Sequence, residues 1–439
     1  VLDHLLINAD EFWSHAVAEI SRRGLWHWVL ATMPLLLFGD VLYYYVPPIL
    51  VAVLHPFARR RETVAEARHR HYLGRYPMVS VIIAGRNEEE CIANCVRSLL
   101  EQEYPNLEII VVDDNSTDRM YEIADQFARR GQIRLLRNNA SSGRGGRPHA
   151  TNLGVRVSRG EFIISVDADT TFDRDLILHM IGPFCDPRVG VVAGNLKVRN
   201  LWTSFVTRMQ AIEYLVGIGL GKRWTDLRGV TLQASGALGA FRREAVLAVG
   251  QWDSELAEDT DISLKLQKAG WHVRFAPKAI AMTDAPRTWR AIARQRYRWD
   301  RGTLRTFYHK HSGLMDPRRY RLGLVFELAV QYFFSTPATL FYPVYILLML
   351  AYLPWVLLFV MLVALTVCSI ASAATTLAAV AISERRRDEW RLVPWSILLP
   401  FYKEYLRWIR LKATIHEILR IHYEDPFLPD SAWRCAPRW

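Results

Sequence analysis

Residues 161–169 read Glu161-Phe162-Ile163-Ile164-Ser165-Val166-Asp167-Ala168-Asp169. A short apolar run bounded by polar residues reads as a buried strand. This one, Glu161 to Val166, ends on an Asp-x-Asp pair. Upstream, the same kind of run alternates with helical patterns. Val79 to Ala84 reads as a strand, Glu89 to Gln102 as a helix, Leu107 to Val112 as a strand and Asp118 to Arg130 as a helix. Ile133 to Leu136 and the helical stretch Pro148 to Ser158 continue the pattern. Strand–helix alternation of this sort predicts an α/β fold with a mostly parallel central sheet.

In such sheets ligands bind beyond the carboxyl ends of the strands, and those ends are acidic three times. Asn87-Glu88 follows the first strand, Asp113-Asp114 the second and Asp167-Ala168-Asp169 the fourth. A single acid there is commonly a cap or a solvated turn, whereas three at one edge favour a polar ligand. Phosphate is not held by a Walker loop, because Gly221-Lys222 is followed by Arg223 and Val216 stands where the leading glycine belongs. Asp167 and Asp169 can instead hold Mg2+ or Mn2+, hard cations that bridge carboxylate and diphosphate oxygens. The loop Gly143-Arg144-Gly145-Gly146-Arg147 offers backbone donors and two guanidinium groups to an anion, or it is a solvated loop.

Further along, Glu258-Asp259 opens a helical pattern that stops at Gly270. Carboxylates at a helix start are explained by dipole pairing alone. Beside a metal-bound nucleotide sugar, however, Asp259 can take the proton of an attacking hydroxyl. Gln295, Arg298 and Trp299 then form a Gln-x-x-Arg-Trp cluster, in which an arginine can hold a diphosphate and a tryptophan can stack on a sugar ring.

The formal net charge of +11 sits mainly beside apolar stretches. Eleven Lys or Arg against two Asp lie between Arg287 and Arg321, just ahead of Leu328 to Ser383, which holds no ionisable side chain of the Asp, Glu, Lys, Arg or His types. A spanning helix needs about 20 apolar residues, so two crossings fit. The Arg59–Arg61 run follows a first apolar segment at 25–54, and Arg385–Arg387 follows the last. Basic flanks of this kind face the cytosol and anionic lipid, not nucleic acid. Asp40 falls inside the first segment or near its interface, and an ionisable group in the bilayer is a functional candidate. The five cysteines show no Cys-x-x-Cys pair and no His spacing for zinc.

The segments expected are an amphipathic stretch 1–24, a transmembrane helix 25–54, a basic linker 55–76 and a cytosolic catalytic domain 77–285. After them come interfacial helices 286–321, two transmembrane helices 322–383 and a basic interfacial tail 384–439.

Residues 77 to 310 resemble the processive family-two glycosyltransferases, which include cellulose, chitin and hyaluronan synthases. Phe241-Arg242-Arg243-Glu244, Val249-Gly250-Gln251-Trp252-Asp253 and Glu258-Asp259-Thr260-Asp261-Ile262-Ser263 look most like the poly-β-1,6-N-acetylglucosamine branch. The resemblance implies a GT-A fold and a UDP-sugar donor. It implies that Glu88, Asp113 and Asp114 contact the uridine, and that Asp167 and Asp169 serve ribose, diphosphate and metal. Arg147 stands where a lysine is usual in the nucleotide-sugar loop. Asp259, with Glu258, becomes the catalytic acid pair with Asp259 as general base. Gln295, Arg298 and Trp299 bind the diphosphate and the terminal sugar of the growing glycan, with Ser235 and Gly236 near that acceptor. Ala257 replaces the usual threonine ahead of the pair.

Together these readings give a bacterial inner-membrane, multi-pass enzyme that polymerises UDP-glucose or UDP-N-acetylglucosamine into a β-linked polysaccharide and exports it. Three spans are few for a polysaccharide channel, so a second copy or a small membrane subunit is expected. A non-processive polyprenyl-phosphate glycosyltransferase and a non-catalytic membrane scaffold are the alternatives.

Overall fold

The computed structural model describes residues 14, 18, 45–138, 146–352 and 354–421. Asp40, most of the 1–54 region, Gly143 to Gly145 and the chain beyond 421 lie outside the described residues. Eight strands form one sheet: β1 (Val79–Gly85), β2 (Leu107–Asp113), β3 (Arg134–Arg137), β4 (Phe162–Asp167), β5 (Thr171–Phe172), β6 (Val189–Val198), β7 (Leu238–Arg242) and β8 (His272–Thr283). Their order is β3-β2-β1-β4-β7-β6-β8-β5.

Half of this sheet is the parallel one expected. β3, β2, β1 and β4 run parallel, and so do β6 and β8, whereas β7 opposes both β4 and β6 and β5 opposes β8. The sheet is therefore mixed. The reversal has a simple cause: the excursion through residues 199–237 returns to the end of the sheet from which it left. Since Val166 pairs with Leu238, that end is the one carrying Asp167.

Local sequence accounts for the elements. The six residues Val79 to Ala84 are all buried, as a central strand covered on both faces requires. Odd positions Val79, Val81 and Ile83 enter one core and even positions Ile82 and Ala84 the other. The first described helix, α1 (Val46–Leu73), precedes the sheet. Helix α2 (Ile92–Leu100) buries Ile92, Cys95, Val96 and Leu99, and α3 (Met120–Arg129) buries Met120, Ala124 and Phe127, each at helical spacing. Helix α4 (Arg147–Val157) starts after Gly146, whose φ of 106° suits glycine and few other residues. A capping box, Ser204 with Thr207, opens α5 (Phe205–Tyr214). The acid helix α6 (Glu258–Lys268) carries Glu258, Asp259 and Asp261 in its first turn and Lys265 and Lys268 in its last, matching the helix dipole. Thr288 caps α7 (Trp289–Arg305), which bears the Gln-x-x-Arg-Trp cluster.

Helix α1 runs through the boundary at 54, so the stretch set apart as a basic linker is helical to Leu73. Two further helices, α8 (Leu322–Tyr352) and α9 (Pro354–Ile382), are long and apolar enough to cross a membrane. Only 28% of the most apolar 18-residue window of each is buried within the protein, whereas the core helix of a soluble domain is mostly buried. The tail forms α10 (Leu399–Ile418). It lies along α7, with Tyr405 Oη donating to Trp289 O (3.0 Å), Tyr297 Oη 2.8 Å from His416 Nδ1, and Arg301 paired with Glu417 (2.8 Å).

The segment after α9 is stitched back to the sheet. Lys197 Nζ on β6 donates to Ser383 Oγ (2.9 Å) and pairs with Glu389 (2.5 Å), both charges less than a tenth exposed. Removing one partner of a buried pair costs roughly 3–5 kcal/mol, because the other charge is left uncompensated, whereas replacing both is nearly neutral. Lys197→Met is therefore expected to lower thermal stability by about that amount in a detergent-solubilised melt. Lys197→Met/Glu389→Leu should recover most of it, and a double variant no more stable than the single one would contradict this account of the docking.

Candidate active site

Strand register fixes the first carboxylates. Gly85 lies beside Asp113 and Ala84 beside Asp167, so the two acids flank the end of β1. Asp113 is fully buried, accepts from Ser116 N (3.3 Å) and pairs with Arg137 (3.4 Å). Asp114 accepts from Gly146 N (2.8 Å) and Asn138 Nδ2 (2.6 Å), which ties the strand end to the start of α4. Both expected uridine contacts thus hold the pocket wall together through part of their bonding capacity.

Glu88, Asp167 and Asp169 crowd one another. Burial pushes the Glu88 carboxyl up to about 7, with Asp169 and Asp167 adding repulsion. Asp169 rises to about 6 from burial and from the charge on Asp167. Carboxyls raised in this way by burial and by one another's charge are the kind of group a divalent cation would relieve. Among the described residues no group of three or more His, Cys, Asp or Glu is arranged as a complete metal cage.

Arg147 connects this acidic edge to the acid helix. Its guanidinium pairs with Asp167 (2.7 Å) and Glu258 (2.8 Å) and donates to Gly236 O. Burial works against its charge, but Asp167, Glu258 and Asp259 hold its pKa above the usual arginine value. Asp259 Oδ2 accepts from Gly236 N (2.9 Å) and Oδ1 from Thr260 N (2.7 Å). Ser235, Gly236, Glu258, Asp259 and Arg147 line one small cleft. Burial raises the Glu258 carboxyl, while Arg147 and, more weakly, Arg298 draw it back down.

The cluster on α7 is partly engaged. Gln295 Oε1 accepts from Gln210 Nε2 (3.2 Å). Trp299 has the guanidinium of Arg296 over its ring at 4.6 Å, and Arg296 pairs with Glu213 (2.7 Å). One face of the tryptophan is therefore covered from within. Tyr214 links the two regions: burial pushes its phenol up to about 12, and both Arg296 and Asp169 act on it.

The structure brings Glu88, Arg147, Asp167, Asp169, Ser235, Gly236, Glu258 and Asp259 to one sheet edge, with Arg298 near Glu258. Asp113 and Asp114 border that edge. Gln295 and Trp299 approach it through Gln210, Tyr214 and Arg296. Three neighbours escape sequence reasoning. Arg199 donates to Asp169 O (2.9 Å). Lys222 is pushed down to about 8 by burial, against the pull of Asp259. Tyr214 is the third. In the sequence Lys222 stands out only as part of a failed phosphate loop, and a lysine inside an apolar pattern is the signal that could have found it.

Similarity to known proteins matches this geometry. A family model described as glycosyltransferase like family 2 matches residues 77–302. A probable glycosyltransferase of Bacillus subtilis (strain 168) is 32% identical over 275 residues, covering 61% of this chain and 64% of the relative. A poly-β-1,6-N-acetyl-D-glucosamine synthase of Staphylococcus epidermidis is 30% identical over 266 residues, covering 60% and 61%. The chain thus spans less than two thirds of the length of these curated relatives. Among solved structures, a mannosyltransferase from Pyrobaculum calidifontis, in complex with GDP-mannose and Mn2+, superposes with a TM-score of 0.51 at 20% identity, covering 84% of this chain and all of that one. This likeness establishes a GT-A fold.

Raised carboxyl pKa values set a pH dependence. Glu88 and Asp169 keep protons in the fold that an unfolded chain releases near pH 4. The native state binds more protons across about pH 4 to 7, so stability falls as pH rises through that window. A cation at these carboxylates opposes the fall. Thermal melts from pH 5 to 8 are expected to slope downward without metal and less steeply with saturating Mn2+. Identical slopes would place the cation elsewhere.

Proposed function

Since this chain belongs to glycosyltransferase family 2, we propose that it is a processive, inverting synthase that polymerises a UDP-sugar into a β-linked polysaccharide and passes it across the bacterial inner membrane. The observation that carries this reading is the meeting of Asp167, Arg147, Glu258 and Asp259 at one sheet edge with Arg298 close by. Glu88, Asp113 and Asp114 bind the uridine. Asp167 and Asp169 would hold Mg2+ or Mn2+, and the cation would supply charge neutralisation to the diphosphate leaving group. The chemistry of the donor set, a pair of crowded carboxylates beside a third, supports that assignment.

In the transfer step the terminal hydroxyl of the glycan attacks the anomeric carbon from the face opposite the diphosphate. A C–O bond forms, the bond to the diphosphate breaks, and UDP departs with its electron pair. Asp259 takes the hydroxyl proton, and its bond from Gly236 N orients the carboxylate. Glu258 and Arg147 keep the pair in place. Arg298 neutralises the diphosphate, and Trp299, with one face covered by Arg296, stacks its other face on the acceptor sugar.

Residues 77–285 form the cytosolic catalytic domain in this reading, 286–321 the interfacial layer, 322–383 two spans and 384–439 the interfacial tail. Outward apolar side chains on α8 and α9, among them Phe333, Leu347, Trp355, Leu358 and Ile370, support membrane embedding. They also leave room for a second copy or a small membrane subunit to complete a channel. The poly-β-1,6-N-acetyl-D-glucosamine synthase relatives favour UDP-N-acetylglucosamine as donor, with UDP-glucose as the competing one.

Purified protein incubated with each UDP-sugar and Mg2+ or Mn2+ should release UDP and form a polymer. Asp259→Asn is expected to slow release about 10²- to 10⁴-fold, the range for loss of a general base, while UDP still binds. A chloroform-soluble monosaccharide lipid as sole product favours the polyprenyl-phosphate reading instead. Unchanged polymer output from Asp259→Asn favours a scaffold.

A further inference from the structure

We propose that Lys310 is a positioning residue: with His311 it grips Asp261, fastening the acid helix α6 to the end of α7 so that base and diphosphate clamp are held as one rigid body. This rests on the reading of Asp259 as base and Arg298 with Trp299 as clamp. Lys310 ends the helical turn Thr306–Lys310 that continues α7. Its Nζ lies 2.6 Å from Asp253, 2.9 Å from Asp261 and 3.4 Å from Glu255. His311 Nε2 lies 2.8 Å from the same Asp261 oxygen. The Lys310, Glu255 and Asp261 side chains are 11%, 9% and 0% exposed, so water screens little of the contact between Lys310 and these two acids, whereas Asp253 is 42% exposed.

Asp261 stands two residues after Asp259, in the first turn of the same helix. Its Oδ1 meets both Lys310 and His311, while its Oδ2 is buried without a hydrogen bond among the described residues. A buried ionic network is seldom the most stabilising way to fill such a space, and fixing one geometry is its better-attested use. Lys310's partners all lie on α6 or on the loop leading into it, and none on the strands that carry Asp113 and Asp167.

A second contact, independent of charge, makes the same junction. A Cβ placed on Gly302 would come within 2.9 Å of Ala257 N and Cβ and 3.0 Å of Leu256 C. Helix α7 therefore presses directly on the backbone ahead of Glu258-Asp259. Gly302 lies four residues after Arg298, on the same helix face. Ala257 is also the position where the resembling enzymes carry threonine, and the small side chain here admits the close approach.

The test uses the full chain in detergent or nanodiscs and reads hydrogen exchange, UDP affinity and sugar transfer. Lys310→Met should speed amide exchange in residues 257–264 and 298–306 together. It should lower kcat about 100-fold, the scale of a 1 Å misplacement, with KM for the donor and affinity for UDP within about twofold of wild type. Lys310→Arg should restore both readouts. Gly302→Ala, which disturbs the junction sterically, should give the same split and carries the test if Lys310→Met does not accumulate. Unchanged exchange, or loss of UDP affinity in step with kcat, would overturn the proposal. A wild-type protein that transfers no sugar from any UDP donor would sink the functional reading instead, and the exchange arm alone would then decide whether the two helices are fastened.

Discussion

One guanidinium holds the two halves of the site in register. Arg147 binds Asp167 at the end of β4 and Glu258 at the start of α6, residues 91 positions apart in the chain. A hydrogen bond to a charged group is worth roughly 1.5–3 kcal/mol; Arg147 makes one to Glu258 and adds an ion pair with Asp167. A lysine can bridge as a point charge but cannot present a planar fork to two carboxylates at once. In the proposed reading, a cation at Asp167 and Asp169 would compete with Arg147 for Asp167, which would link donor loading to the setting of the acid pair through a single side chain.

The sheet makes that meeting possible. Because the chain leaves β6 and re-enters at β7 from the same end, Ser235 and Gly236 arrive beside Asp167 rather than at the far edge. The backbone of Gly236 then serves both acids' neighbours: its N–H donates to Asp259 and its carbonyl accepts from Arg147. A Cβ there would lie 2.5 Å from the Arg147 guanidinium, so a larger residue would displace that side chain. The excursion also delivers Tyr214 and Lys222 to the site and brings Glu213 to Arg296 and Tyr402. Glu213 thereby ties the excursion both to α7 and to α10.

Much of this is legible in the sequence because the signals are local. An apolar run ending in Asp-x-Asp announces a strand end with chemistry, and the helical elements around α2, α3 and α4 are set by spacing and by Gly146. The apolar stretch between Glu327 and Glu384 appears as two long helices. The remainder depends on partners distant in the chain. Nothing local says that β7 runs against β4, because a short buried strand carries no direction. Arg147 can be assigned to an anion-binding loop but not to Glu258, and Arg296, a variable position inside the Gln-x-x-Arg-Trp pattern, covers Trp299. Lys310, one of eleven basic residues in a membrane-flanking run, looks the same as its neighbours until Asp261 is placed beneath it. The helix from Val46 to Leu73 runs on past the composition change at 54, since a change from apolar to basic residues does not break a helix.

The central claim is that these scattered groups surround one nucleotide diphosphate. An experimental structure of the full chain with UDP and Mn2+ tests it most directly. The account predicts the diphosphate between Asp167–Asp169 and Arg298, with Mn2+ on the two aspartates and Asp259 facing the space beyond the β-phosphate. UDP bound away from that edge, or Mn2+ held by other side chains, would contradict it.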